Sequence, residues 1–394
     1  MYPISLCGRQ ITGSLVILVL VRYLPVYDYG EFASFRTIAA LLLIFANAGF
    51  NEYILVSSRK IIKETRQKVG LFILNSIFII AVITVLSLFL DISSKLLFFL
   101  VLVRTFLDST FFLLVLPYFQ VSKNFKTISC INIFYSTAIM IIAGFSYAYK
   151  LSLINFLLFN ILLGIFNFIQ ISCYAKINYF LYIVNIKSLL KKLDKSILSY
   201  ITAFICSYLY GQIPVLFVSV LINKEIAALF FAAQTISLII NMLTVAQIQK
   251  TISNLINAAA NTVREVLRSN LKLLLGINSI ILIFFILFGK QVLQLIYFNP
   301  YYMNAYPMLI ILTLSNILIT IAAIYGAYIT AAGNQKYKIP HQIIAIFISV
   351  IVLCVLHNFG VYSACIAYFI SSLYVAIMYT QYCFKLIRNK DVLG

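Results

Sequence analysis

Five ionisable residues sit where the surrounding sequence is apolar: Arg9, Arg22, Arg36, Arg104 and Asp108. A charge within a membrane-length apolar segment costs roughly 3 kcal/mol on insertion scales, so it marks a functional site or needs a partner. Guanidinium forks match phosphate oxygens in shape and charge, which makes the chemistry on offer anion recognition. Arg104 and Asp108 are four residues apart and share a helix face, where the carboxylate can orient the guanidinium or take part in ion coupling. A structural role stays open for each. Arg9 and Arg22 can snorkel to opposite interfaces, and Arg104 with Asp108 can form a closed internal pair. Glu52 lies near the end of its segment and is read as structural.

The elements that must carry these residues are apolar spans. The chain has 394 residues, is 63% hydrophobic and 10% charged, and has a mean hydropathy of +1.05. A soluble domain of that length needs far more polar surface. A span takes roughly 20 apolar residues. Twelve are expected, near 4–24, 32–57, 69–90, 96–117, 127–148, 152–175, 196–222, 226–249, 271–289, 306–332, 341–357 and 361–384. They must be helices, because lipid offers backbone groups no partner and no alternating strand pattern is present. The first span reads as an uncleaved anchor, since it lacks a basic leader and a small-residue cleavage site.

Loop charge sets the orientation. One set of loops carries 21 Lys and Arg, including Arg59–Lys68, Lys176–Lys195, Arg264–Lys272 and Lys385–Lys390; the opposite set carries Lys95, Lys150, Lys224 and Lys290. The basic set belongs in the cytoplasm, with both termini. The net charge of +19 is then a matter of topology and of attraction to membrane lipid, and nucleic acid is not expected as a partner. Trp is absent, so Tyr27, Tyr29, Tyr301 and Tyr302 are read as interfacial belt residues. The seven cysteines form no CxxC pair and read as packing residues. His341 and His357 lie at opposite ends of one span; no metal site and no cofactor are expected.

A basic stretch at 176–195 reads as a cytoplasmic linker helix. It divides the chain into an N-terminal six-helix lobe, 1–175, and a C-terminal one, 196–394. The lobes repeat weakly: Phe32, Thr37 and Ile38 recur as Phe230, Thr235 and Ile236 at an offset of 198. Halves that start on the same side make a parallel repeat, as in transporters that rock two lobes around a central site. The charge is uneven. The N-terminal half holds the arginines, while the other offers Gln212, Gln234, Gln247 and Asn316. Gly211 and Pro214 interrupt the seventh span and mark a hinge or a fixed bend. The outer loops are short, the largest running from about Gly289 to Ala305. With no sizeable extramembrane domain the chain does not read as an enzyme.

Leu20-Val21-Arg22-Tyr23-Leu24, Asp28-Tyr29-Gly30-Glu31-Phe32 and Asn47-Ala48-Gly49-Phe50 resemble the opening of Wzx-type polysaccharide flippases. That family shares a superfamily with MATE drug exporters and the peptidoglycan-precursor flippase. The likeness continues through Phe288-Gly289-Lys290, Tyr301–Ala305, Ala331-Ala332-Gly333-Asn334 and Gly360–Ala364. The chain departs from the family at Gln212-Ile213, where Asp-Arg is frequent, and at Ala227 or Ala228, in place of a small Gly.

The resemblance implies an all-α polytopic protein with a V-shaped pair of six-helix lobes, working by alternating access in a bacterial inner membrane. It implies a cargo of oligosaccharide repeat units on undecaprenyl pyrophosphate, for O-antigen or capsule, with a polysaccharide polymerase and chain-length machinery as further partners. Arg36, Arg104, Arg22 and Arg9 would then line a cavity between the halves and receive the pyrophosphate. Two rivals remain. A cation-coupled MATE-like drug exporter would more naturally place carboxylates in the cavity. A membrane polysaccharide polymerase or ligase would be expected to carry a large outer loop.

Overall fold

The structure is a computed structural model that describes residues 2–47, 92–110, 125–175, 195–238, 255 and 260–393. The third span expected at 69–90, most of the 176–195 linker, Glu52 and Gln247 lie outside the described residues. Eleven α-helices are present among the described residues. Seven of them are long and apolar enough to cross a membrane. Helices satisfy their own backbone donors and acceptors, as a lipid environment demands.

The chain divides into two compact units, Met1–Tyr208 and Leu209–Gly394. The first contains α1 (Tyr2–Tyr23), α2 (Val26–Asn47), α3 (Ile92–Thr110), α4 (Phe125–Ala148) and α5 (Leu153–Ala175). Within it α1 packs on α4, α2 on α3, and α5 on both α3 and α4. The inward faces follow helical spacing: Ile131, Tyr135, Ile139 and Ala143 of α4 are buried, as are Phe156, Asn160, Gly164 and Asn167 of α5. Asn160 Nδ2 donates to the Phe156 carbonyl at 2.8 Å and the Ser34 hydroxyl to the Gly30 carbonyl at 2.8 Å, so these buried polar groups are tied to their own helices.

The helix α6 (Lys195–Leu221) crosses the division and runs unbroken through Gly211 and Pro214. Pro214 has no N–H to give the carbonyl four residues back, which locally weakens the ladder. The second unit continues with α7 (Lys224–Ser237), α8 (Ala260–Tyr297), α9 (Tyr306–Ala331), α10 (Gln335–Val355) and α11 (Val361–Leu393). Here α7 packs on α9, α9 on α8 and α11, and α10 on α11. The last contact includes a Tyr337–Tyr382 ring stack at 3.4 Å. His341 Nδ1 lies 3.0 Å from the Tyr374 hydroxyl in the same contact, and His357 Nδ1 lies 3.0 Å from the Cys354 carbonyl.

The internal repeat is written into these boundaries. Helix α1 ends at Tyr23 and α2 begins at Val26; α6 ends at Leu221 and α7 begins at Lys224, the same offset of 198 seen in the sequence. Thr37 donates its hydroxyl to the Ala33 carbonyl at 3.0 Å, and Thr235 to the Phe231 carbonyl at 2.8 Å. With 69–90 counted as a third span, both units pair second with fourth, fourth with sixth and fifth with sixth.

Two expectations are corrected. The outer stretch 289–305 is not a loop: α8 continues to Tyr297, and Pro300–Ala305 forms a 3-10 turn capped by Asn299, whose side chain accepts from the Tyr301 N–H at 3.0 Å. Gly289 lets this region close, because a Cβ there would sit 2.8 Å from the Tyr306 ring. Second, Tyr29 and Tyr302 are not belt residues. Each is 1% exposed; Tyr302 packs at 4.7 Å on Tyr297, and Tyr29 lies two residues from exposed Tyr27, on the other side of α2.

Candidate functional site

The site forms in the first unit, where α2, α3 and α4 meet. Helix α2 packs its Tyr29, Phe32 and Phe35 side inward, and Phe35 meets Phe98 of α3 edge to face at 5.3 Å. That contact sets the register of the two helices. Arg36, next in sequence to Phe35, is turned out of the core and is exposed. It lies within electrostatic range of both Arg104 and Asp108 of α3. Three of the charges singled out from the sequence are therefore gathered in one place.

Arg104 and Asp108 pair across one helical turn, with Nη1 2.5 Å from Oδ1; their side chains are 13% and 38% exposed. Burial explains the pairing, since a guanidinium removed from water needs a counter-charge within reach. Tyr135 of α4 completes the arrangement. Its hydroxyl donates to Asp108 Oδ1 at 2.8 Å, and the Arg104 guanidinium carbon lies 5.8 Å from its ring centroid. One tyrosine thus holds the carboxylate from its tip and faces the cation with its ring.

Helix α5 supports α3 from behind. Gly164 stands against Leu107, between the two members of the ion pair: a Cβ at Gly164 would lie 3.0 Å from Leu107 Cδ1 and 3.2 Å from its Cβ. Only glycine lets α5 approach α3 this closely without displacing Leu107.

Two cations and one carboxylate leave the cluster with a net positive charge. An exposed Arg36 beside a paired, oriented Arg104 can receive an anionic group with more than one oxygen. The half-exposed Asp108 carboxylate is the group that an arriving anion would compete with, and the one that could accept a proton.

The remaining arginines are placed differently. Arg22 occupies the last turn of α1 and is exposed, at the turn into α2, where a cation also complements the helix dipole. Arg36 is ten residues into α2, about 15 Å farther along. Arg9 lies in α1, and its side chain is outside the described set. Tyr135 and Gly164 were not singled out from the sequence. No local signal marks them, because their importance comes from what lies beside them on other helices.

No protein-family model matches the chain, and no curated protein matches it in sequence. Solved structures do match its fold. An inward-facing multidrug resistance MATE family transporter of the MOP superfamily aligns with a TM-score of 0.68 at 12% identity, over 97% of this chain and 95% of that one. A MATE in the straight conformation gives 0.67 at 14% identity, over 99% and 94%. The MATE transporter VcmN of Vibrio cholerae gives 0.67 at 14% identity, over 98% and 95%. TM-scores of 0.67–0.68 with near full-length coverage in both directions show that the chain has the MATE transporter fold.

Proposed function

We propose that this protein is a membrane transporter, not an enzyme, that works by alternating access and moves an anionic, lipid-linked cargo. The cargo class that fits best is oligosaccharide on undecaprenyl pyrophosphate, carried across a bacterial inner membrane for O-antigen or capsule synthesis. The observation that carries this reading is the Arg36–Arg104–Asp108 cluster, with its excess of positive charge on largely apolar helices. Pyrophosphate carries several negative charges and cannot cross hydrocarbon unaided, so a path for it needs fixed cations. The resemblance of the Leu20–Leu24, Asp28–Phe32 and Asn47–Phe50 segments to Wzx-type flippases points to the same cargo. The lipid tail would stay in the bilayer while the head group passes through the protein.

A cation-coupled exporter of the same fold is the second reading. It is favoured by one feature, the 38% exposed Asp108 carboxylate, which could take up a proton or cation. Gene deletion separates the two. For the flippase, a clean deletion abolishes surface polysaccharide while lipid-linked repeat units accumulate on the inner leaflet. Unchanged surface polysaccharide, in a strain with no redundant flippase, rejects that reading, and a new drug sensitivity in the same strain supports the exporter.

A further inference from the structure

Helix α8 is 38 residues long. At 1.5 Å per residue it measures about 57 Å, against a hydrocarbon core of about 30 Å. The excess is not apolar. Arg264, Arg268 and Lys272 are exposed at four-residue spacing along its N-terminal part, while Val263, Leu267 and Leu274 are buried. The three cations therefore form one stripe on a helix anchored by the neighbouring Val263–Leu267–Leu274 side.

Their depth is legible from the apolar residues that follow. Leu273, Ile280, Ile283, Phe284 and Leu287 are exposed, as side chains facing lipid must be. Lys272 adjoins the first of them. Arg268 stands one turn farther out, about 6 Å, and Arg264 about 12 Å. The polar layer of one leaflet is roughly 5–7 Å thick. Lys272 thus falls within the head-group layer and Arg268 at its outer edge, while Arg264 stands about 5 Å beyond it, still within a Debye length of the phosphates.

The neighbouring helices repeat the placement. In α11, which packs on α8 and α10, exposed Phe384 is followed by exposed Lys385 and Arg388. Val263, Leu267, Tyr328, Tyr379 and Ile387 share one core cluster, which puts these helix ends on the same side of the unit. Glu265 is exposed beside Arg264, and the stripe keeps a net positive charge. The cations at the other end of the unit are engaged with protein: Lys224 Nζ donates to the Ser219 carbonyl at 2.7 Å, and Lys290 Nζ lies 5.6 Å from the Tyr306 ring centroid.

We infer that the α8 stripe, flanked by Lys385 and Arg388, is a docking surface for the head group of an anionic phospholipid in the adjoining leaflet. Charge complementarity and depth select that occupant. Phosphates of a bilayer lie in the layer where Lys272 and Arg268 stand, and successive cations one turn apart can share one or two of them. The inference does not depend on the transported cargo.

The test uses the full-length protein in neutral detergent, titrated with phosphatidylglycerol or phosphatidylcholine, with retained lipid read by native mass spectrometry. Wild type should retain phosphatidylglycerol over phosphatidylcholine. Each cation near the surface is worth roughly fivefold in binding, so Arg264→Gln, Arg268→Gln and Lys272→Gln together should weaken phosphatidylglycerol binding on the order of 100-fold. Lys290→Gln should leave it unchanged, and Arg264→Lys with Arg268→Lys should retain it. An equal melting temperature in phosphatidylcholine checks that the triple variant is folded. If it is not, Arg268→Gln and Lys272→Gln singly should each show the fivefold loss. Wild-type phosphatidylglycerol affinity in the triple variant, or in both single variants, overturns the inference. So does displacement of the lipid by inorganic pyrophosphate at equal concentration, which would assign the surface to soluble phosphates.

Discussion

Arg104 has two charged neighbours, and each predicts a different behaviour on mutation. The Asp108 pair accounts for its tolerance of burial, while Arg36 nearby accounts for a second, anionic visitor. If the proposed cargo is correct, Arg36→Ala or Arg104→Ala should abolish export at a normal level of protein in the membrane. Arg→Lys should recover part of it, because charge survives without the fork. Asp108→Asn should be milder, since it removes an orienting group and not the ligand contact. Tyr135→Phe removes one hydrogen bond to the carboxylate, about 1 kcal/mol, and should lower export severalfold without loss of protein. Export and abundance, measured together, decide among these. Restored export in the Arg104→Ala, Asp108→Ala double variant would show a purely structural pair. The i,i+4 spacing made the Arg104–Asp108 contact readable from sequence. Tyr135 was not readable, being 27 residues from Asp108 on another helix.

At the scale of elements, the pair is held by helix packing. Gly164 admits α5 to Leu107 and so fixes α3 from behind. Gly164→Ala places a methyl group 3.0–3.2 Å from Leu107, and crowding of this kind costs about 1–3 kcal/mol. We expect a lower melting temperature for the purified protein, with Leu107→Ala in the same chain restoring part of it. A Gly164→Ala variant as stable as wild type would show that Leu107 yields freely. Apolar segment length placed most helices, yet it missed the continuation of α8 at both ends. Residues 260–272 are too polar for a span, and their helix exists because Val263 and Leu267 bury one side against the unit. The Gly289–Ala305 stretch looked like a loop because Lys290, Gly289 and Pro300 break the apolar run. Tertiary contacts override those local signals, with Tyr297 donating its hydroxyl to the Ala232 carbonyl at 2.8 Å.

For the whole molecule, orientation rests on the uneven loop charge. Cysteines introduced at 176–195 should resist a membrane-impermeant thiol reagent applied from outside intact cells. Efficient external labelling would reverse the topology. The sequence alone determined the helical class and most span positions, because a long apolar run in lipid has no other way to satisfy its backbone. It also determined the repeat, since the 198-residue offset reappears in helix ends and in paired threonine hydroxyl bonds. That Arg36 lies near Arg104 and Asp108 was decided only by tertiary structure. Spacing along one helix reports neighbours within that helix, whereas Arg36 comes within electrostatic range of Arg104 and Asp108 where α2 packs on α3 beside the Phe35–Phe98 contact. The same holds for Tyr29 and Tyr302, aromatic residues near span ends whose burial depends on the helix face that packing chose.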